Sequence, residues 1–179
     1  AGEVGFLTIG ERNIFREYST VNRGTRSGHT TIGDDNLFMA YSHVAHDATI
    51  GNHCAFVNSA NIAGHVRIED HAVLGGLVGV HQHCRVGRYA MVSGGAMVAQ
   101  DVPPFTIARG DRARLYGLNI VGLRRNGFSL DAVNALKGAY RELFHQGLPL
   151  RIAVEQVRET FSEMPDVNEL LGFMEASTR

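Results

Sequence analysis

The sequence predicts a mainly β fold, in which a solenoid of six-residue repeats is followed by a C-terminal α-helical domain. Two observations support this prediction. Every sixth residue is apolar over a long central stretch, and beyond Pro103 and Pro104 apolar residues recur at helical spacing instead. A short strand followed by a tight corner sustains a period of six, whereas an α-helix or a simple alternating strand does not. The apolar positions are Ile32, Phe38, Val44, Ile50, Phe56, Ile62, Ile68, Leu74, Val80, Val86, Val92 and Val98.

A second set of positions, two residues before each apolar position from Phe38 onward, is mostly small or β-branched. Two of every six residues therefore face inward and form continuous ladders between stacked coils. These hexads resemble the left-handed parallel β-helix of the hexapeptide-repeat family, in which three hexads make one triangular coil of eighteen residues. The resemblance implies four coils from Ile32 to Pro103. The second set is Asn36, Ser42, Ala48, Cys54, Ala60, Val66, Ala72, Val78, Cys84, Ala90 and Ala96.

An additional coil precedes these four. Ile9, Phe15 and Val21 keep the same phase, but Val21 and Ile32 are eleven residues apart, so five residues must loop out within residues 23–30. Glycine and serine in that segment suit a turn. Because the chain starts with Ala and enters the repeat at once, we expect that sequence ahead of it has been removed, and the family resemblance implies that this sequence forms further N-terminal coils.

The repeat is predicted to end after Asp101, where two prolines remove backbone donors that another strand would need. The pattern becomes helical from Asn119, and Ser129 is a predicted N-cap for a helix over residues 130–145. Further helices are predicted over residues 150–161 and 166–176. We therefore divide the chain into a β-helix at residues 1–110 and a helical domain at residues 111–179.

Composition narrows the possible partners and locations. With 17 basic and 18 acidic residues the net charge is −1, and no basic run suits a nucleic-acid backbone. Cys54 and Cys84 are inward-facing residues, which favours a reducing, cytoplasmic compartment over a disulfide framework. No apolar run is long enough for a transmembrane segment. We expect no cofactor.

The stretch SHVAHD begins a cluster of polar residues that three successive coils bring to one edge: His43, His46, Asp47, His65, His81 and Gln82. Four other histidines, at positions 29, 53, 71 and 145, are interpreted as solvated or structural. The cluster suits acid–base chemistry, because a neutral imidazole can take a hydroxyl proton and a carboxylate can orient it. Asp47 serves His46 only if a corner lies between them. A zinc site and a non-catalytic scaffold remain alternatives.

Five ordered motifs, SHVAHD, IAGH, GVHQ, VAQDVPPFTIARGD and NIVGLRRNGFS, together resemble the bacterial UDP-N-acetylglucosamine O-acyltransferases. The resemblance implies transfer of an (R)-3-hydroxyacyl chain from acyl carrier protein to the 3-hydroxyl of UDP-N-acetylglucosamine, the first step of lipid A biosynthesis. It also implies a homotrimer with clefts between neighbouring β-helices. The alternatives are a relative that forms a 3-amide on a UDP-amino sugar and a zinc enzyme similar to hexapeptide-repeat carbonic anhydrases.

The same resemblance implies roles for individual residues. His46 is the general base, Asp47 orients it, and the Gly64 N–H stabilises the oxyanion. Gly94 matches the position that sets acyl-chain length, and Val121 departs from relatives that carry an acidic residue there. Acyl carrier protein, an acidic partner, would meet basic side chains at positions 88, 109, 112 and 114. The implied substrate-binding residues are His43, His65, His81, Gln82, Asn119 and Arg125.

Overall fold

The chain folds as a parallel β-solenoid with three faces, followed by helices. The computed structural model describes residues 2–177. The mainly β architecture and the six-residue repeat predicted from the sequence are confirmed. The strands are β1 (Phe6–Ile9), β2 (Ile14–Phe15), β3 (Thr20–Val21), β4 (His29–Ile32), β5 (Leu37–Phe38), β6 (His43–Val44), β7 (Thr49–Ile50), β8 (Ala55–Phe56), β9 (Asn61–Ile62), β10 (Arg67–Ile68), β11 (Val73–Leu74), β12 (Gly79–Val80), β13 (Arg85–Val86), β14 (Met91–Val92), β15 (Met97–Val98), β16 (Thr106–Arg109) and β17 (Arg114–Leu118).

Every third strand joins the same sheet. The first face contains β1, β4, β7, β10 and β13; the second contains β2, β5, β8, β11, β14, β16 and β17; the third contains β3, β6, β9, β12 and β15. Partners within a face are one coil apart, so Ile32 pairs with Ile50 and Ile50 with Ile68. Both predicted sets of inward positions are buried throughout. The stability of the solenoid therefore comes from inward side chains that stack at equivalent positions in neighbouring coils.

The first coil has the predicted insertion. Ile9 pairs with Ile32 and Phe15 with Phe38, so five additional residues separate these partners compared with the later coils. The insertion lies between β3 and β4. Because β1, β2 and β3 end their sheets, the inward side chains of this coil stay partly open, with Ile9 41% and Phe15 39% exposed.

The solenoid extends slightly beyond the predicted stop at Asp101. Val102 bridges to Val86 and Ala108 pairs with Val92, so the coil continues with a step of sixteen residues instead of eighteen. Both side chains are buried in the solenoid core. β17 then pairs antiparallel with β16, which the repeat pattern did not predict. The two prolines thus shorten the last coil by two residues without ending the core.

Four helices are described after β17: α1 (Ile120–Arg125), α2 (Leu130–His145), α3 (Leu150–Thr160) and α4 (Pro165–Ala176). The Ser129 hydroxyl accepts a hydrogen bond from the Ala132 N–H at 3.1 Å, as its N-cap position predicts. Gly147, just beyond α2, has a φ of 68° that suits a helix stop. None of the helices within residues 2–177 is long and apolar enough to cross a bilayer.

Arg88 anchors the helices to the solenoid. Its guanidinium donates to Glu169 at 2.6 Å and to Asp166 at 3.2 Å, both on α4. The hydrogen bond from Arg88 to Glu169 is the main reason that the pKa of Arg88 is raised. Our expectation that Arg88 attracts an acidic partner is therefore wrong, because its charge is already paired within the chain.

The two cysteines are packed in the solenoid core. Cys54 and Cys84 are both buried and unbridged. Burial raises the pKa of the Cys54 thiol to about 12, so thiolate chemistry at this position is suppressed. Both residues act as small apolar side chains in their ladders.

Candidate active site

His46 and Asp47 lie at the corner where the chain passes from the third face to the first. Each corner contains two turn residues, and the second adopts a left-handed backbone; Asp47 has a φ of 59°. Aspartate tolerates this conformation better than most non-glycine residues. The turn places the two side chains on the same side, since His46 Nδ1 lies 2.8 Å from Asp47 Oδ2. Asp47 can therefore orient His46, because the two residues lie at a corner and not within a straight strand.

The His46–Asp47 pair combines an accessible imidazole with a sheltered carboxylate. The side chain of His46 is 42% exposed, whereas that of Asp47 is 9% exposed. Burial acts to raise the pKa of Asp47, but hydrogen bonds from Thr25 and His46 outweigh it, and the pKa is lowered. A carboxylate only accepts hydrogen bonds, so it selects the tautomer with a proton on Nδ1. The other ring nitrogen, Nε2, is then free to accept a proton.

Gly64 lies directly against the His46 ring, one coil further along. A Cβ atom added to Gly64 would lie 2.6 Å from His46 Cε1 and 2.8 Å from Nε2, so only glycine fits. Among the described residues, the Gly64 N–H donates no hydrogen bond. Gly64 therefore lies in close contact with the edge of the ring that carries Nε2.

His65 completes a group of three potential ligands. Its Nε2 lies 4.0 Å from Asp47 Oδ2, and its ring packs edge-on against His46 and stacks on His83. One atom from each of His46, Asp47 and His65 lies within 4.8 Å of the other two. His65 is thus close enough to act as a third ligand in the zinc site that the sequence left as an alternative. The geometry alone therefore permits either proton transfer or metal binding at this corner.

Two cavities flank the corner. One, of about 760 Å³, runs along the third face and is lined by His43, Asn61, Gly79, His81 and Met97, among others. The other, of about 750 Å³, contains the His46 corner itself, with Asp47, His65, Thr25 and His29. Consecutive residues Ala45 and His46 line the two cavities, so the cavities lie next to each other.

Other predicted site residues differ in how they are held. The Thr20 hydroxyl and His43 Nδ1 are 2.8 Å apart, which fixes the His43 ring. Gln82 is exposed and occupies the same turn position as His46 and Gly64, one coil beyond Gly64. The His81 Nδ1 lies 3.2 Å from the Gln82 carbonyl oxygen. Gln82 therefore continues the His46 corner along the solenoid, with His81 beside it, whereas His43 lies on the third face.

Asn119 and Arg125 do not join this corner within one chain. The buried Asn119 side chain caps α1 by accepting from the Gly122 N–H and donates to the Tyr89 carbonyl at 2.9 Å. Tyr89 lies at the corner between the first and second faces. Arg125, in the last turn of α1, is exposed. Gly94 lies at the remaining corner, where an added Cβ would meet the Gly76 carbonyl oxygen at 3.3 Å.

Sequence reasoning missed two threonines that contact Asp47. Thr25, in the insertion between β3 and β4, donates its hydroxyl to Asp47 Oδ2 at 2.7 Å. Thr30 is fully buried, and its hydroxyl accepts from the Asp47 N–H at 2.8 Å. The break in the six-residue period was the available signal, since five residues inserted beside a polar cluster invite a functional reading.

Comparison with known proteins identifies first a class and then a family. Residues 29–64 match the model of bacterial transferase hexapeptide repeats, which agrees with the solenoid and its polar corner. Residues 101–179 match the second domain of UDP-N-acetylglucosamine O-acyltransferase. Together the two matches indicate the class of hexapeptide-repeat transferases.

Curated relatives are similar along the whole chain. Acyl-(acyl-carrier-protein)–UDP-N-acetylglucosamine O-acyltransferases from Xylella fastidiosa and Alkalilimnicola ehrlichii are 45% and 49% identical to it, over 100% of this chain and 69% and 70% of their own lengths. Within the class, the chain belongs to the family of UDP-N-acetylglucosamine O-acyltransferases.

Solved structures agree with this membership. The Francisella novicida UDP-N-acetylglucosamine acyltransferase superimposes with a TM-score of 0.95 at 36% identity, covering 99% of this chain and 66% of that one. The Bacteroides fragilis enzyme gives 0.94 at 40% identity, with 100% and 71% coverage. The chain thus spans about two thirds of these structures, and the matched part includes the His46 corner and all the described helices.

Proposed function

We propose that this protein transfers an (R)-3-hydroxyacyl chain from acyl carrier protein to the 3-hydroxyl of UDP-N-acetylglucosamine, the first step of lipid A biosynthesis. The observation that carries the proposal is the arrangement of His46, Asp47 and Gly64 at one corner. An oriented imidazole, its carboxylate and an unpaired backbone donor are the groups that direct acyl transfer needs. The names of the relatives supply the donor and the acceptor.

Each group has one step in the reaction. His46 Nε2 removes the proton of the sugar hydroxyl as that oxygen forms a bond to the thioester carbonyl carbon. The charge that develops on the carbonyl oxygen is stabilised by the Gly64 N–H, while Asp47 stabilises the imidazolium. The C–S bond then breaks, and the proton passes from His46 to the departing thiolate. No covalent enzyme intermediate is needed, which agrees with the burial of both cysteines.

The substrate-binding residues extend from this centre in two directions. His43, His65, His81 and Gln82 would line the cleft for the sugar and the acyl chain, supported by their place in or beside the two cavities. Asn119 and Arg125 would contact the nucleotide phosphates, for which the guanidinium offers paired donors. Gly94 would leave the acyl channel open for a longer chain. Val121 is exposed and offers no charge to the ribose.

We infer that the working assembly is a homotrimer. Asn119 and Arg125 belong to a different corner from His46, so a site that uses all of them must combine neighbouring chains. Residues of the exposed third face would then become part of a shared cleft. We further propose a cytoplasmic location, since the acyl donor is carried on acyl carrier protein, and we propose the division into domains at residues 110 and 111.

Acyl carrier protein would dock beside the last coil. With Arg88 paired to α4, the remaining basic residues there are Arg109, Arg112 and Arg114, all exposed. Arg109 stacks on Tyr116, with its guanidinium carbon 3.3 Å from the ring centre. Attraction between this patch and an acidic carrier would mainly raise the association rate and would weaken with salt.

The test is acyl transfer from 3-hydroxyacyl-acyl carrier protein by the full-length protein and its His46→Ala variant, with UDP-N-acetylglucosamine and a UDP-3-amino sugar as acceptors. We expect a rate loss of about 10²–10⁴-fold on the natural acceptor. His145→Ala, in the exposed last turn of α2, is the matched control and keeps full activity. Zinc is quantified in the same samples. Equal rates for His46→Ala and the parent, or activity that depends on stoichiometric zinc, would refute the proposal.

A further inference from the structure

The five-residue insertion that interrupts the repeat folds over the His46 corner. Thr25, in the middle of this insertion, makes three hydrogen bonds to the Asp47 carboxylate. Its backbone N–H lies 3.1 Å from both Oδ1 and Oδ2, and its hydroxyl donates to Oδ2 at 2.7 Å. The oxygen that receives the hydroxyl is the same one that faces His46 Nδ1. The insertion thus adds three hydrogen bonds to a carboxylate that also contacts the imidazole.

The insertion is itself held in place close to the carboxylate. The Gly24 N–H donates to Phe6 and the Ser27 N–H to Val4, which fasten both ends of the loop to the first coil. A Cβ atom at Gly28 would collide with Asp47 Oδ1, so the loop backbone approaches as closely as glycine permits. Thr25 therefore has little freedom to move away from Asp47.

A carboxylate without such contacts would not hold one orientation. The final torsion of an aspartate side chain is broad and roughly two-fold, so a single hydrogen bond to His46 leaves rotation possible. With Thr25 bound to both oxygens, rotation would break two or more hydrogen bonds to a charged group. Such bonds are stronger than neutral ones.

We propose that Thr25 is a positioning residue for the transfer reaction: its hydroxyl orients Asp47, and Asp47 in turn holds the His46 ring with Nε2 directed at the acceptor hydroxyl. The inference rests on the proposed general-base function of His46. It also gives the insertion a role, because Thr25 and its hydroxyl lie within the inserted segment.

The main experiment compares Thr25→Val, which keeps the shape and loses the hydroxyl, with Thr25→Ser, which restores it. For Thr25→Val we expect kcat to fall about tenfold, since about one charge-assisted hydrogen bond that orients the base is lost, with KM for both substrates unchanged. Thr25→Ser is expected to recover most of kcat. If Thr25→Val does not fold, Thr25→Ala takes its place.

Thr106→Val is the matched control for stability. The Thr106 hydroxyl is buried and donates to the Pro103 carbonyl at 2.7 Å, the same length as the bond from Thr25, but it lies at the far end of the solenoid. We expect this variant to lose thermal stability and to keep kcat. An unchanged kcat in Thr25→Val, or a loss that Thr25→Ser does not recover, would overturn the inference.

A second readout does not depend on activity. The Asp47 carboxyl is titrated by ¹³C NMR, with Asp47→Asn to assign its signal. Because hydrogen bonds from Thr25 lower the pKa of Asp47, the titration midpoint should move to higher pH in Thr25→Val and return in Thr25→Ser. An unmoved midpoint counts against the inference. If the midpoint moves but the parent protein transfers no acyl group, the positioning contact stands and the proposed function fails.

Discussion

The lack of a side chain at Gly64 matters for the proposed reaction as much as the imidazole does. Gly64→Ala keeps the backbone N–H but places a methyl group 2.6 Å from the His46 ring, so the ring must move. Since a displacement of about 1 Å costs about 10²-fold in rate, we expect kcat to fall by about that factor. The measurement is steady-state acyl transfer at saturating concentrations of both substrates.

Gly172→Ala is the control for this substitution. Gly172 lies in α4, and an added Cβ meets nothing within 4 Å. This variant should keep its activity and gain about 0.5–1 kcal/mol of stability, because alanine is the better helix former. If Gly64→Ala also kept full activity, the close approach of Gly64 to His46 would have no part in the reaction.

The lowered pKa of Asp47 predicts how the stability of the folded chain depends on pH. This pKa is lowered in the folded chain, so the folded state binds the Asp47 proton less tightly than the unfolded state does. The contribution to stability is therefore complete above the unfolded pKa of about 3.9 and is lost as pH falls through the folded value. Urea unfolding at pH 7 and at decreasing pH should show a smaller acid loss in Asp47→Asn than in the parent. Equal acid losses would contradict this assignment.

The residues of the candidate site differ in how far the sequence revealed them. His46, Asp47 and His65 could be placed together because a coil of eighteen residues fixes which positions stack, whereas Gly64 was indicated only by the family resemblance. Thr25 could not be placed, because an irregular loop has no period from which its side-chain direction follows. The link from Arg88 to Glu169, 81 residues away, was hidden for a related reason. The repeat says nothing about how α4 packs against the solenoid.

Among the elements, the stacked inward phenylalanines of the second face predict that substitution costs less stability in the first coil than in an interior coil. Phe15, Phe38 and Phe56 stack with ring centres 4.7 Å and 4.6 Å apart, but Phe56 is fully buried and Phe15 is 39% exposed. Phe56→Ala should cost about 3–5 kcal/mol, because it removes a large buried side chain and leaves a cavity. Phe15→Ala should cost clearly less. Chemical denaturation of the 179-residue chain measures both.

Two results would contradict this prediction for the stacked phenylalanines. If Phe15→Ala lowered the free energy of unfolding as much as Phe56→Ala, the first coil would be as well packed as the interior coils. If Phe56→Ala cost less than about 1 kcal/mol, neighbouring coils would not share one core. Either result would contradict additive stacking of coils along the solenoid.

Among these elements, the sequence predicted the regular strands and α2 better than the segment that joins them. The two inward positions of each hexad recur often enough to fix the strands, and α2 begins and ends at the predicted residues, Leu130 and His145. The sixteen-residue last coil and the antiparallel strand β17 were not predicted. Pro103 and Pro104 indicate where regular strand pairing ends, but they do not indicate which structure follows. The short helix α1 owes its start to Asn119, whose side-chain cap is visible only in the structure.

In the whole molecule, the three corners of the solenoid carry different groups. The His46 corner holds the imidazoles and the carboxylate, the Tyr89 corner adjoins Asn119 and α1, and the third corner holds Gly94. These corners diverge within a single chain, because each stands at a different edge of the three-faced solenoid. Neighbouring chains packed side by side would bring one corner of each into a common cleft. This shape is the reason that we propose a site shared between neighbouring chains.

Subunit mixing tests this arrangement directly. His46→Ala and Arg125→Ala proteins, each nearly inactive alone, are unfolded together in equal amounts, refolded and assayed for acyl transfer. In randomly assembled trimers, about one quarter of the clefts receive an intact His46 from one chain and an intact Arg125 from its neighbour, so we expect about one quarter of the parental activity. If both residues served the same site from a single chain, no mixed assembly would contain an intact site, and the mixture would stay as inactive as its components.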